Sequence, residues 1–173
     1  MMDKRELLRR IDAGEKFEYH FFWKGPFSQW EPIGFTVDGV YYKRAEHYMM
    51  AEKAKLFNDQ ASWENIIKTD HPRDAQDFGR KVKGFNQKVW DLEKYGIVYD
   101  GNYYKFTQNP IYKQILTDTG DKILVEASPV DVVWGIGLAE DHPDSSDPHK
   151  WLGENMLGFA LTNLRNAFQK VVF

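Results

Sequence analysis

FTVDGVYYKRAEHYMMAEKAKLFN, residues Phe35 to Asn58, changes its hydrophobic period partway through. Up to Tyr42, short runs rich in β-branched and aromatic residues flank Asp38-Gly39, the pattern of two strands joined by a two-residue turn. From Arg44 the spacing becomes that of a helix. The chain is therefore mixed, and the same two periods can be followed outward in both directions. Toward the N-terminus, Phe17–Trp23 reads as a strand and Lys24–Trp30 as a loop. Before them, Leu7, Leu8 and Ile11 punctuate a charged segment stopped at Gly14, which predicts a short amphipathic helix.

Toward the C-terminus, helical stretches are predicted at 61–68, 73–82, 86–95 and 110–118, the last opened by Asn109-Pro110. Lys122–Ala127 reads as a short strand, and Leu157, Ala160, Leu161, Leu164 and Phe168 form one stripe of a closing helix. The sum is a helix-rich α+β fold, compact, over residues 1–173 as a single domain. Its strands are short: an N-terminal strand and hairpin, and one strand near 122–127.

Composition narrows the function classes. The 173 residues are 42% hydrophobic and 16% aromatic, enough for one substantial core. A net charge of -3 gives no overall attraction to phosphate backbones, so sequence-independent nucleic-acid binding is not expected. There is no cysteine, which removes disulfides, thiolate metal sites and a thiol nucleophile. The opening residues are charged and followed by no apolar run of signal or membrane-span length, so a cytoplasmic protein without membrane contact is expected.

Within the helix that begins at Arg44, Lys53 falls roughly 20° from Glu46 on a wheel of about 100° per residue, with Met50 and Phe57 on the same stripe. Tyr48, Glu52 and Lys55 occupy the opposite face, where solvent is expected. A carboxylate and an ammonium placed in an apolar stripe are expensive unless paired or used. One reading is an internal ion pair across two turns. The other is a helix face lining a pocket, with Glu46 orienting water or steadying positive charge on a sugar and Lys53 holding phosphate or hydroxyl.

Three further groups stand out. Asp131-Val-Val-Trp134-Gly-Ile-Gly137 sets a carboxylate and a large ring beside two glycines, either a stacking wall with an acid or a tryptophan plugging the core. Trp23, Phe27, Ser28 and Gln29 offer rings and small polar groups on one loop, suited to gripping a heterocycle. Arg44 and Arg80, with Lys81 and Lys83, are candidate phosphate ligands. Asp141, His142, Asp144, Asp147 and His149 crowd one loop, yet their spacing matches no metal motif, and no metal site is expected.

Phe22-Trp23 with Gly25–Trp30, Ala45–Lys53, Phe78-Gly-Arg80, Val89-Trp-Asp91, Lys105-Phe106 and Gln108-Asn-Pro110 together resemble the NADAR, or YbiA-like, family. Leu124–Pro129, Trp134-Gly-Ile-Gly-Leu138, Trp151, Asn155-Met-Leu-Gly158, Leu161 and Arg165 continue the resemblance, which runs in order from about 20 to 168. It implies an N-glycosidase without metal or organic cofactor. The substrates it implies are small and nucleotide-like: a phosphorylated ribosylamino-pyrimidine intermediate of riboflavin synthesis, or ADP-ribose on a base such as guanine, including ADP-ribosylated nucleic acid. It also implies catalytic roles for Glu46, Lys53 and Trp134, and the carboxylate of Asp131, close in sequence to Trp134, is expected as the second acid. Some members carry Asp where this chain has Ile136, and Asn where it has Gln29. The rival expectation is a non-catalytic module that binds ADP-ribose or NAD and reports its level.

Overall fold

The computed structural model describes residues 1–170. Seven α-helices and four short strands follow one another there, so the helix-rich α+β expectation is borne out. By proximity of backbone positions the chain forms two compact units, residues 29–112 and residues 1–28 together with those from 113 onward. No helix among the described residues is long and apolar enough to cross a membrane.

In residues 29–112, β2 (Phe35–Val37) and β3 (Val40–Tyr42) pair antiparallel, with Phe35 opposite Tyr42. Asp38 and Gly39 both take positive φ, at 49° and 79°, as a tight hairpin requires. The hairpin delivers the chain into α2 (Ala45–Leu56), against which α3 (Gln60–Lys68), α4 (Pro72–Arg80) and α5 (Gln87–Thr107) all pack.

Two expectations change in this unit. Tyr48 does not face solvent: its side chain is buried, edge-on to Tyr42 and tilted against Phe35 and Tyr104. The wheel assumed a helix with one wet face, whereas α2 is covered on most sides and only part of its surface, at Glu52 and Lys55, stays open. The helix predicted at 86–95 continues to Thr107. Gly96, Gly101 and a run of Tyr, Ile and Val lower its intrinsic helicity, but packing overrides propensity. A Cβ at Gly101 would strike the ring of Tyr48, so that glycine lets α5 lie close on α2.

In the other unit, β1 (Tyr19–Phe22) and β4 (Ile123–Glu126) pair in parallel, Tyr19 opposite Ile123 and Phe22 opposite Glu126. Both strands fall within the stretches predicted from sequence. Leu7 of α1 (Lys4–Asp12), Ile123 and Val125 of β4, Ile136, Leu138, Trp151 and Phe159 make its core. α6 (Pro110–Thr117) precedes β4, and α7 (Met156–Lys170) packs directly on it. Asn155 and Thr162 serve the strand's otherwise unpaired edge. Asn155 Oδ1 accepts from Glu126 N at 2.9 Å, its Nδ2 donates to Leu124 O at 3.0 Å, and Thr162 Oγ1 accepts from Leu124 N at 3.0 Å. A Cβ at Gly158 would collide with the Leu124 carbonyl oxygen, so helix and strand backbones meet there without a side chain between them.

Candidate functional site

Glu46 sits in the first turn of α2 and is 4% exposed, and Lys53, two turns on, is 9% exposed. Both charges of the apolar stripe are therefore buried, as the wheel implied. The Lys53 ammonium lies 4.3 Å from the centroid of the Phe85 ring and 5.2 Å from that of Trp90, so two aromatic faces box it. Burial pushes its pKa below the usual lysine range, the Arg80 charge adds to this, and Glu46 opposes it. An amine so placed gives up its proton more readily than a surface lysine.

Gln29 arrives at the same helix terminus. Its backbone oxygen accepts from Glu46 N at 2.9 Å, and its own amide is buried beside Met49. Arg44 precedes α2, with Nε donating to Trp30 O at 3.1 Å and Nη1 to Asp70 O, so its guanidinium ties two loops to the helix start. Arg80 is exposed at the end of α4, 3.7 Å from Asp77. The unit thus gathers Gln29, Glu46 and Lys53 around α2 and leaves Arg80 at the surface.

His47 was not singled out by sequence. It is buried, one ring nitrogen meets Thr69 O at 3.1 Å, and burial lowers its pKa to about 4. Arg44 and Lys43 also lower it, while Asp70 and the Thr69 contact oppose. The unfolded imidazole takes a proton near pH ~6.5. Below that value the unfolded chain binds the proton that the fold refuses, so stability is intact at neutral pH and falls as pH drops from ~6.5 toward ~4. The expected loss from this group reaches ~3 kcal/mol at about pH 4. Urea unfolding across that window should show the acid slope in the parent and lose it in His47→Gln; parallel slopes would contradict the assignment.

Lys105 on α5 is fully buried, and its pKa is pushed down to about 7 by burial against the opposing charge of Glu31. Asn102, one turn earlier, is 0% exposed. Neither was read from sequence as a site residue, although Lys105 lies within the family pattern.

In the other unit, Asp131 and Trp134 share one turn. Asp131 Oδ1 accepts from Val133 N at 2.8 Å and from Trp134 N at 2.7 Å, and the Trp134 ring is half-buried. Gly135 does not open space beside the ring. A Cβ there would meet Glu126 O and Asp131 O, so the glycine serves close backbone packing. Trp23 is 50% exposed, with Lys24 Nζ 5.8 Å from its ring centroid. Phe27 is buried edge-on to His20 and Phe22, and it forms part of the wall of a cavity of about 410 Å³ with His20, Lys24 and Lys122. Ser28 closes a turn through its N–H to Gly25 O.

The Asp/His loop spends its groups locally. Asp144 pairs with Lys150, His142 Nδ1 accepts from Asp144 N, Asp147 caps His149 N, and His149 faces Asp12 at 3.2 Å. Among the described residues no group of three or more His, Cys, Asp or Glu is arranged to hold a metal ion.

The fold is helix-rich α+β, and one helix of it, α2, buries both a carboxylate and an ammonium. The chain belongs to the NADAR domain family, whose model matches residues 20–169. It is 41% identical to an N-glycosidase of Acanthamoeba polyphaga mimivirus over 83% of this chain and 88% of that protein. It is also 31% identical to the chloroplastic riboflavin biosynthesis protein PYRR of Zea mays, over 82% of this chain and 23% of that longer protein. The solved structure of the Escherichia coli protein YbiA superposes with a TM-score of 0.70 at 25% identity, covering 92% of this chain and 90% of that one.

Proposed function

We propose that the chain cleaves the bond between a phosphorylated ribose and a nitrogen base, with Glu46 as the carboxylate that serves the reacting sugar. The chain is an N-glycosidase, a hydrolase of N-glycosyl compounds; its 41% identity to a protein of that name over nearly its whole length supports this. The observation that carries the residue assignment is the burial of Glu46 at the start of α2, with Lys53 two turns along the same stripe. A carboxylate shielded from water stabilises positive charge on a sugar far better than an exposed one.

The C–N bond breaks with its electron pair going to the base, which takes up a proton, and the sugar acquires oxocarbenium character. Water adds its oxygen to the anomeric carbon and yields a proton to Glu46, which gives it up again to make good the proton taken by the base, so that one water is consumed as hydroxyl on the sugar and hydrogen on the base. Lys53 and Arg80 hold phosphate or hydroxyl groups, as does Arg44, and Gln29 contacts the sugar or base. Trp134 and Trp23 are the proposed ring contacts, Asp131 the second acid, and Phe27 and Ser28 further proposed substrate contacts. Of the two substrate classes, the likeness to a riboflavin biosynthesis protein supports a ribosylamino-pyrimidine phosphate; an ADP-ribosylated guanine, free or on nucleic acid, is the alternative.

The test offers both classes to the protein and identifies released base and sugar by mass spectrometry. Base released from the pyrimidine phosphate supports the reading, release only from ADP-ribosylated guanine reassigns the substrate, and binding without release from either overturns it. For Trp134→Ala, affinity is expected to fall by ~1–3 kcal/mol, the scale of base–aromatic stacking. Its stability loss should stay below the ~3–5 kcal/mol of a truncated core tryptophan. Urea unfolding and titration in parallel separate the two, and a large stability loss with unchanged affinity would return Trp134 to the core.

A further inference from the structure

We infer that Asn102 is a positioning residue for the hydrolytic carboxylate, acting through Gln29; this rests on the assignment of Glu46 above. Asn102 lies on the face of α5 that meets the segment leading into the hairpin, and it is completely buried. Its Nδ2 donates to Val98 O at 2.8 Å and to Gln29 Oε1 at 2.9 Å. The Val98 carbonyl can only accept, so it fixes which way the Asn102 amide points, and that in turn presents a donor to Gln29. Gln29 is thereby oriented with its oxygen toward Asn102 and its Nε2 4.0 Å from Met49 Sδ. The same residue's backbone oxygen receives the Glu46 N–H at 2.9 Å. A line of hydrogen bonds therefore runs from α5 through residue 29 to the backbone of the catalytic position.

Lys105 near the end of α5, with Gln108 and Asn109 just past it, holds the rest of this segment in register. The charge of Lys105 is set against that of Glu31. Asn109 Nδ2 donates to Gly34 O at 3.1 Å, and Gln108 both accepts from Thr36 N at 2.9 Å and donates to Thr36 O at 2.7 Å. From residue 29 to residue 36 the chain is registered on one helix by side chains, with Asn102 at the end nearest Glu46.

Stability alone does not account for this asparagine. Its Oδ1 is buried without a hydrogen-bond partner, so the amide pays a desolvation cost that an apolar side chain of the same shape would avoid. What a leucine would not supply is the donor that orients Gln29. The substitution Asn102→Leu therefore separates the two roles, since it keeps the branched shape at a modest cost in added volume, and removes the orphaned acceptor and the donor together.

The experiment compares Asn102→Leu, Asn102→Ala, Gln29→Ala and the Gln29→Ala/Asn102→Leu double variant with the parent in steady-state base release, with thermal unfolding run on each. Asn102→Leu is expected to melt no lower than the parent by more than a few degrees while kcat falls ~10-fold and KM stays within about threefold, a displaced rather than missing catalytic group. In the Gln29→Ala background the same change is expected to cost nothing further, because its route to Glu46 is already cut. A folded Asn102→Leu with parental kcat overturns the inference, as do losses that multiply in the double variant or that track unfolding. Glu46→Gln is assayed alongside. If it turns over normally the functional reading fails, whereas an inactive Glu46→Gln beside an unaffected Asn102→Leu removes only the role of Asn102.

Discussion

Glu46→Gln is expected to lower turnover by at least about a hundredfold, the scale of a positioned acid or base, while leaving the fold and ligand binding in place. The amide has the shape of the carboxylate, so the packing of α2 against α3, α4 and α5 is kept. What changes is charge. A neutral group cannot take the proton of the attacking water or balance the positive sugar, and in a site where the side chain is 4% exposed no bulk water substitutes for it. Base release and thermal unfolding measured together check both halves; near-parental turnover would make Glu46 a structural residue.

The second large effect concerns stability. Asn155→Ala is expected to cost ~3–5 kcal/mol, composed of two buried backbone groups of β4 left without partners at ~1–3 kcal/mol each and a non-glycine residue held at φ 53° without the asparagine's tolerance for it. Asn155→Gly restores the backbone freedom but not the hydrogen bonds, so it should recover only ~1 kcal/mol of the loss. Urea unfolding with an unchanged slope would report this, and a loss below ~1 kcal/mol would show that the strand edge is satisfied in another way.

Much of this was legible in the sequence, for identifiable reasons. The hairpin declared itself because Asp38-Gly39 suits the turn and short strand-forming runs flank it, and α2 because its spacing changes at once afterwards. Glu46 and Lys53 stood out because two charges lay on an apolar stripe, and both are buried. Tyr48 misled because a wheel assigns every helix a wet side, and α2 is enclosed on most of its circumference. The parallel pairing of β1 with β4 could not be read, since about a hundred residues separate the strands and no local turn links them. Asn102 lay beyond reach for a related reason. It falls in the part of α5 that glycines and aromatic residues disguise, so the spacing does not show the helix face that brings it to Gln29. His47 and Lys105 were hidden by chemistry rather than position, because only burial distinguishes them from ordinary surface groups.

Cleavage of a C–N bond by way of Glu46 is open to direct measurement. Its most direct test is a single-turnover reaction with protein in excess over the ribosylamino-pyrimidine phosphate, quenched over time, with intact substrate and free base both quantified for the parent and for Glu46→Gln. The parent is expected to convert bound substrate to free base, and Glu46→Gln to bind the same substrate while releasing base at least about a hundredfold more slowly. A parent that retains intact substrate through the whole course, or a Glu46→Gln variant that releases base at the parental rate, would contradict this expectation.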